Sequence, residues 1–404
     1  MIFCGWRFHP PSPERIMAVA VDIEDLVERL RRVEDPREDR GLRHSLVDVL
    51  FIALVAMVSG ADDAEAMQDY GEANAEWFGQ FLELRHGIPS QDTFLRVFAL
   101  LSTAAVERLF LDWVHGLRTV WEGGHIALDG KTVRGSFDAA SGGKAIHMVS
   151  AWLASEGLVL GQVKVAEKAN EIVAIPELLR LLDIRGVVVT IDAMGTQRSI
   201  AAQIVEQGGG YVLPVKDNHP KLYADVTDYF QGLGHDHGGV VTPAKDLDRH
   251  ESIDAGHGRI ETRTCVLSRD LRSITQRADW VGLLGIAMIA RRREDKRTGQ
   301  VSTEQAYFLV NTACATAASV AGVVRAHWGI ENGLHWVLDM TFNEDQCRVR
   351  AGNAAQNLAV LRHLVMNLMR TAPGKKRSMV KRRQRCGWDR GFMLSVLAGR
   401  EIPA

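Results

Sequence analysis

The chain has 404 residues, of which 46% are hydrophobic and 24% are charged. This composition is typical of globular proteins with a sizeable core. The length exceeds that of one ordinary domain, so two or three domains are expected. No stretch approaches the roughly 20 consecutive apolar residues that a transmembrane helix needs, which excludes a membrane-spanning protein and predicts no membrane partner.

Cysteine usage and charge distribution narrow the class of protein further. The five scattered cysteines form no CxxC pairing, which argues against a zinc site or disulfide framework and predicts a reducing cytoplasm. The net charge is −2, but the segment from Arg348 to Arg390 holds twelve Lys and Arg residues against the single acid Asp389. That segment carries +11 and the remainder −13. Such segregation indicates that one end of the chain faces a polyanion.

The first 120 residues are predicted to be a short start followed by helices. Residues 1–21 hold no apolar signal-peptide core and are expected to be disordered or an overlong start, with Met17 a plausible true beginning. Helical spacing runs over residues 22–33, and Ser45 is a predicted N-cap of a buried helix that reaches Ser59. Further helical patterns continue to Val120. Residues 22–120 are therefore predicted to form an all-helical domain without catalytic residues.

Two aspartates follow strand-like runs in the next region. Asp129 comes after the apolar residues 126–128, and Asp192 comes after the β-branched run 187–191. A buried strand that ends in an aspartate places the carboxylate at the edge of a sheet. Two such carboxylates supply the oxygen ligands that Mg²⁺ and Mn²⁺ prefer. Each aspartate taken alone could instead cap a turn or a helix.

The order of elements around these aspartates predicts an α/β core. The predicted elements are a strand ending at Asp129, strands at 145–153 and 158–165, a helix at 170–182, the strand ending at Asp192, a helix at 196–207 and a strand at 210–215. This is the order of the ribonuclease H-like fold, a mixed five-stranded sheet flanked by helices, in which the first and fourth strands are adjacent. Asp129 is then expected beside Asp192, and residues 121–216 form the first part of the core.

The remaining sequence is predicted to be an insertion, a second part of the core and a basic end. Residues 217–312 are charged, Gly-rich and contain short strand-like runs, so a β-rich insertion is expected there. Residues 313–372 contain a predicted helix on which His327, Glu331 and His335 lie along one stripe. Residues 373–404 form the basic C-terminal segment. Further acids that compete with Glu331 for a catalytic role are Asp339, Glu344 and Asp345.

Several strings of this sequence carry a resemblance to one family. The strings are Gly41–His44, Asp129–Ser136, Lys168–Ile172, Thr190–Met194, His327–Asp339 and Phe342–Asp345. In this order they resemble the H-repeat-associated, ISAs-type insertion-sequence transposases of the DDE class. Two strings depart by a residue or two from the family's usual wording, Pro89–Asp92 and Lys216–His219. The Tyr and Arg of the related YREK-signature transposases are replaced by Val324 and His327.

The resemblance implies a catalytic mechanism and its partners. It implies that Asp129, Asp192 and Glu331 form a DDE triad that binds two Mg²⁺ ions, or Mn²⁺, for phosphoryl transfer. The expected reaction is cleavage at the element's ends to free 3′-hydroxyls, followed by strand transfer into target DNA. The expected partners are terminal inverted repeats, target DNA and further copies of the chain in a homo-oligomer. The expected location is the bacterial cytoplasm, with nucleoid association when active.

Basic side chains are the candidates for contacts with DNA phosphates. The basic C-terminal segment is the first candidate, and its docking onto the acid-rich residues 22–83 is the alternative. The candidate residues are Lys375, Lys376, Arg377, Lys381, Arg382, Arg383 and Arg385 in that segment, Arg291, Arg292 and Arg293 in the insertion, Lys131 and Arg134 beside Asp129, and Lys216.

Three other functions remain open from the sequence. A phosphatase of the haloacid dehalogenase type needs a second aspartate two residues after its nucleophile, and Lys131 at that position argues against this class. A domesticated or inactive transposase would act as a DNA-binding protein. A nuclease of the same fold would cleave DNA without joining it.

Overall fold

The structure, a computed structural model, describes residues 23–38, 42–117, 123–137, 144–166, 170–233, 247–256, 258–312, 315–375 and 377–398. The predicted disordered or overlong start and Lys376 lie outside the described residues. The chain divides into two compact units. Of the described residues, the first unit comprises 123–129 and those between 170 and 330, and the second unit comprises those between 23 and 117, 130 and 166, and 331 and 398.

The described elements are labelled in chain order. The helices are α1 Ile23–Arg31, α2 Leu46–Val58, α3 Ala64–Ala73, α4 Ala75–Phe78, α5 Gln91–Leu100, α6 Thr103–His115, α7 Glu171–Leu181, α8 Arg198–Glu206, α9 Pro220–Gly232, α10 Ala317–His327, α11 Trp336–Thr341, α12 Ala354–Thr371, α13 Met379–Trp388 and α14 Arg390–Ala398. The strands are β1 His125–Thr132, β2 His147–Leu153, β3 Leu158–Lys164, β4 Val188–Thr190, β5 Gly210–Val215, β6 Leu247–Gly256, β7 Arg259–Ser268, β8 Gly285–Asp295 and β9 Val301–Val310.

The first unit is built on a mixed sheet with the strand order β1-β4-β5-β9-β8-β7-β6. Strands β1, β4 and β5 run parallel, and the other four continue the sheet by antiparallel pairing. All three residues of β4 are buried. A β-branched strand of this kind is suited to the centre of a sheet that is covered on both faces.

Helix α10 packs against this sheet and closes a core in the first unit. The Thr316 hydroxyl accepts the Ser319 N–H and completes a capping box at the start of the helix. Val320 and Val324 on the helix belong to the same buried cluster as strand residues such as Phe308. Because α10 ends at His327, this packing determines where the His327 side chain lies.

The second unit is mainly helical and is organised around α2 and α12. Helix α2 is apolar on nearly every side and starts at the N-cap Ser45, whose side chain accepts the Asp48 N–H. Helix α12 contacts α2, α5 and α6 and also strand β3 of the β2–β3 hairpin. Two asparagines satisfy backbone groups along α12, because Asn357 donates to Phe98 and Leu101 and Asn367 bonds both polar groups of Val159.

Several predictions from the sequence can be compared with these elements. An α/β fold with a mixed sheet is confirmed, as are helices α1 and α2 with Ser45 as N-cap. The predicted number of five strands is not confirmed, because β9 pairs with β5 and the strands of the predicted insertion extend the same sheet. That predicted insertion also begins with helix α9. Among the helices that the structure describes, none has the length and hydropathy to cross a bilayer.

Candidate active site

Asp129 and Asp192 each follow the paired part of two parallel strands in the first unit. The last paired residues of β1 and β4 are Ala127 and Thr190, and each aspartate lies two residues beyond its pair. The two aspartates therefore follow the paired segment at the same separation in both strands. The prediction that the first strand ends at Asp129 is wrong, since β1 continues to Thr132, whereas β4 does end before Asp192.

The Asp192 carboxylate is half-buried and held by the turn that follows β4. Its Oδ1 accepts the Gly195 N–H at 2.9 Å. Burial raises the pKa of Asp192, and Glu171 raises it further, against the effect of the Gly195 hydrogen bond. A Cβ at position 195 would lie 2.2 Å from Cγ2 of Ile191, so this turn requires glycine. A carboxylate whose charged form is disfavoured in this way gains stability from a nearby cation.

A chain of three polar side chains lies in the same unit, with His125 and Thr190 buried and His327 partly buried. Nε2 of His125 is 2.7 Å from the Thr190 hydroxyl, and that hydroxyl is 2.9 Å from Nδ1 of His327. Burial lowers the pKa of His125 to about 3 and that of His327 to about 4. Both imidazoles are therefore neutral at pH 7. The Thr190 hydroxyl has one proton, so it donates to one histidine and accepts from the other.

Glu331 lies in the second unit, on a π-helical turn. Helix α10 ends at His327, and Glu331–His335 forms a five-residue π-helix before α11. The predicted stripe at spacings of four residues is wrong, because the regular α-helix does not continue through these positions. The Glu331 side chain is exposed and makes no hydrogen bond or ion pair with another residue in the described part of the chain.

The acids that compete with Glu331 are occupied by a lysine within the second unit. Nζ of Lys131 lies 2.7 Å from Asp339, 3.0 Å from Glu344 and 3.3 Å from Asp345. The lysine side chain is only 10% exposed and that of Glu344 is 1% exposed. Burial alone would lower the pKa of Lys131, but the carboxylates outweigh it and raise that pKa. Lys131 is thus an internal counter-ion, and its prediction as a DNA contact does not fit this structure.

The backbone of Arg134 and Gly135 also contacts residues 345–350 in the second unit. Oδ1 of Asp345 accepts the Arg134 N–H at 3.1 Å, and the Arg350 guanidinium donates to the Gly135 carbonyl at 3.1 Å. A Cβ at Gly135 would lie 2.2 Å from the Cys347 carbonyl oxygen. The glycine is therefore required by this close approach. This pairing was not predicted from the sequence, although a lysine and three acids in two separate motifs were a signal for it.

Two arginines of the basic C-terminal segment are buried within the second unit. The Arg383 guanidinium donates to the carbonyls of Met57 and Ala61 at 2.9 and 2.7 Å and pairs with Asp62 at 2.6 Å. The Arg382 guanidinium donates to backbone carbonyls, including that of Ala372 at 3.1 Å. Because both side chains are buried and bonded to backbone carbonyls, the structure does not favour them as DNA contacts. The alternative prediction was that the basic segment docks onto the acid-rich residues 22–83. The ion pair between Arg383 and Asp62 agrees with that alternative.

The other basic candidates differ in accessibility. Arg134 is 83% exposed despite its 3.6 Å approach to Asp345, and Arg385 pairs with Asp389. The side chain of Arg291 is only 15% exposed, whereas Arg292 and Arg293 are about half exposed and paired with glutamates. Candidates that are exposed and carry no ion pair with a described residue are Lys216, Lys375, Arg377 and Lys381.

The donor chemistry of the first unit fits a hard divalent cation. Asp129 and Asp192 offer carboxylate oxygens, the ligand type that Mg²⁺ and Mn²⁺ prefer, and the raised pKa of Asp192 favours a cation there. Within the described residues, no three side chains of His, Cys, Asp or Glu are gathered as a metal-binding group. The two aspartates follow neighbouring parallel strands, and a metal site formed by them with Glu331 stays a prediction.

Comparison with known proteins assigns a family. Residues 121–368 match the family model described as "Transposase DDE domain", and residues 27–114 match the model described as "DDE_Tnp_1-associated". The chain is 36% identical over 382 residues to "Putative transposase YncI" of Escherichia coli O157:H7, which covers 94% of this chain and 95% of that protein. It is 34% identical over 391 residues to "H repeat-associated putative transposase YhhI" of Escherichia coli (strain K12), which covers 94% and 99%.

The comparison with solved structures is weaker. The chain is similar to a piggyBac transposase in a synaptic complex with hairpin DNA, at a TM-score of 0.40 and 12% identity over 97% of this chain and 82% of that chain. A similarity of this size supports no conclusion. The family model and the two E. coli relatives support an assignment to a family, because they extend over most of the sequence. The chain belongs to the DDE-domain transposase family that includes the H-repeat-associated transposases.

Proposed function

We propose that the chain is the transposase of an insertion sequence, which cleaves DNA at the element's ends to free 3′-hydroxyls and joins them to target DNA. The observation that carries this proposal is the parallel pairing of β1 and β4, whose last pair, Ala127 and Thr190, lies two residues before Asp129 and Asp192. Two carboxylates presented by neighbouring strands are the core of a site for metal-assisted phosphoryl transfer. We also assign a ribonuclease H-like arrangement to the catalytic core.

Glu331 is the proposed third carboxylate of a DDE triad. Its exposed side chain makes no ion pair with a described residue, whereas Asp339 and Glu344 are held by Lys131. A carboxylate bound to an internal lysine is a poor metal ligand, because the two cations would compete for the same oxygens. The proposal requires Glu331 to act on the same metal ions as Asp129 and Asp192.

Asp129, Asp192 and Glu331 would hold two Mg²⁺ or Mn²⁺ ions. When bound, such ions activate the attacking oxygen and stabilise the leaving oxygen of an in-line displacement. The protein's own contribution is orientation and charge. The Gly195 amide fixes one oxygen of Asp192, and the neutral His125 adds no positive charge on the face of β1 that it shares with Asp129.

DNA is proposed to be bound through phosphates by exposed basic residues. Contacts of this kind position the duplex without reading its sequence. The remaining candidates are Arg134, Lys216, Arg292, Arg293, Lys375, Lys376, Arg377, Lys381 and Arg385. The proposed DNA partners are the element's terminal inverted repeats and the target, bound by a homo-oligomer in the bacterial cytoplasm at the nucleoid.

The domain organisation follows from the same assignment. We propose a helical domain at residues 22–120, a catalytic core at 121–216 and 313–372, an insertion at 217–312 and a basic C-terminal segment at 373–404. The four long strands β6 to β9 fall within the proposed insertion. They extend the sheet beyond β5.

The proposal is tested by replacing Asp192 with Asn. The substrate is DNA carrying the sequences that flank the gene, incubated with the full chain and Mg²⁺. The change removes a charged ligand and keeps the side chain's shape, so we expect cleavage to be lost while DNA binding is retained. The matched control is Asp228→Asn, an exposed aspartate on α9, which should cleave like the wild type. Retained cleavage by Asp192→Asn at saturating Mg²⁺ would refute the mechanism.

A further inference from the structure

The turn that carries Glu331 has an uncommon backbone. Residues Glu331–His335 form a π-helix between α10 and α11. Such turns account for well under about 1% of residues and are frequent at functional sites. A single π-helical turn is not held by its own hydrogen bonds alone, so packing around it must determine its geometry.

A tryptophan packs directly on the backbone of this turn within the second unit. Trp152 lies on β2 and is 2% exposed. An ideal Cβ at Gly333 would lie 2.6 Å from Cζ2 of Trp152. The indole therefore occupies the space that any larger residue at position 333 would need. Gly333 is required here because of close approach, not because of an unusual φ angle.

Arg370 contacts both Gly333 and Trp152. The Arg370 guanidinium donates from Nη2 to the Gly333 carbonyl at 2.5 Å, and its Cζ lies 4.6 Å from the ring centroid of Trp152. Gly157, in the β2–β3 turn, leaves room for it, since a Cβ there would lie 2.0 Å from Nη1 of Arg370. Arg370 thus bridges α12, the hairpin and the π-helical turn.

The charge of Arg370 is not used for an ion pair in the described part of the chain. Burial lowers the pKa of Arg370 to about 10, and Arg382 contributes to the lowering, so the side chain is still charged at neutral pH. A mostly buried cation without a carboxylate partner is costly for the folded state. The cation–π contact and the bond to Gly333 offset part of that cost.

We propose that Arg370 and Trp152 are positioning residues that clamp the π-helical turn and so set the direction of the Glu331 side chain. This inference rests on the proposed catalytic role of Glu331. The guanidinium holds the carbonyl of Gly333, two residues after Glu331. The indole packs against the Cα of Gly333. Together they determine the height and rotation of the turn relative to β2 and α12.

The test compares Arg370→Lys with the matched control Arg180→Lys in the full chain. Arg180 is an exposed arginine that also donates to a backbone carbonyl, that of Pro176 at 3.1 Å. Arg370→Lys keeps the charge but loses the planar fork. Without metal, we expect amide exchange over residues 331–336 to rise about tenfold in Arg370→Lys. Mn²⁺ binding, followed by electron paramagnetic resonance, should weaken about tenfold, while the KM for DNA stays unchanged.

A rescue experiment separates positioning from a loss of folding. Gly333→Ala should reproduce the loss of Mn²⁺ affinity, because the new Cβ meets Trp152. Adding Trp152→Phe removes the Cζ2 atom and should restore part of the affinity. If Arg370→Lys, Gly333→Ala and the control all bind Mn²⁺ and exchange like the wild type, the clamp is wrong even if DNA cleavage confirms the transposase. If the clamp behaves as expected but no variant or wild type cleaves DNA, the proposed function fails instead.

Discussion

His125, Thr190 and His327 form a largely buried polar chain whose contribution to the free energy of unfolding depends on pH. Each imidazole is neutral because the buried environment disfavours its charged form. A group whose pKa is depressed by folding contributes stability above its unfolded pKa. That contribution is lost as the pH falls through the folded value. The first unit should therefore be acid-sensitive through these residues.

The pH dependence of stability tests this account of the histidines. The unfolded pKa is about 6.5, and the folded value of His125 is about 3. Between pH 6.5 and 4, we expect the free energy of unfolding to fall by up to about 1.4 kcal/mol per pH unit for each of the two histidines. Urea unfolding at a series of pH values measures the slope. The variant His125→Asn should show a shallower slope, and an equal slope would contradict this assignment.

At the scale of elements, the end of β1 and the segment after α11 are joined by one lysine. The negative charges of Asp339, Glu344 and Asp345 surround Lys131, and Gly135 allows the backbone of residues 345–347 to approach. The motif that contains Asp129 is thus anchored on its C-terminal side by residues of the C-terminal motif. The same arrangement engages the carboxylates of those acids in ion pairs with Lys131.

Replacing Lys131 with Met tests this anchor. The change leaves the buried Glu344 without its nearest cation, since Arg362 is 3.8 Å away. We expect the free energy of unfolding to fall by about 3 kcal/mol at pH 7, the usual cost of leaving a buried charge unpaired. Arg134→Ala, an exposed neighbour, should change it by less than about 0.5 kcal/mol. Equal effects of both variants in urea unfolding would contradict an internal role for Lys131.

At the scale of the whole molecule, the sequence predicted strand-like runs and the segregation of charge. It did not predict which charged side chains are buried. Strand-like runs identified Asp129 and Asp192, and the charge count identified a basic C-terminal segment. The same charge count could not show that Arg382 and Arg383 are buried, because composition does not report which side of a helix faces the core. The Lys131 cluster and the Arg370 clamp were equally inaccessible, since both depend on contacts between residues distant in the chain.

The basic C-terminal segment is therefore predicted to have two separable roles. Arg383→Ala removes hydrogen bonds to buried carbonyls and the partner of Asp62, and should lower the free energy of unfolding by about 2–4 kcal/mol. The slope of log K for DNA against log salt should not change. The exposed control Arg377→Ala should leave stability within about 0.5 kcal/mol and reduce that slope by up to about 0.9. A reduced slope in Arg383→Ala would contradict its burial.

The measurement that tests the central claim most directly is strand transfer by carboxylate variants. Element ends are supplied already cleaved, with either a 3′-hydroxyl or a 3′-dideoxy terminus, together with a target plasmid and Mg²⁺. The account predicts that the wild type and Asp228→Asn join the 3′-hydroxyl ends but not the dideoxy ends. It predicts that Asp129→Asn, Asp192→Asn and Glu331→Gln bind the ends and join neither. Joining by Glu331→Gln at wild-type rate, or cleavage by the wild type without any joining of 3′-hydroxyl ends, would contradict it.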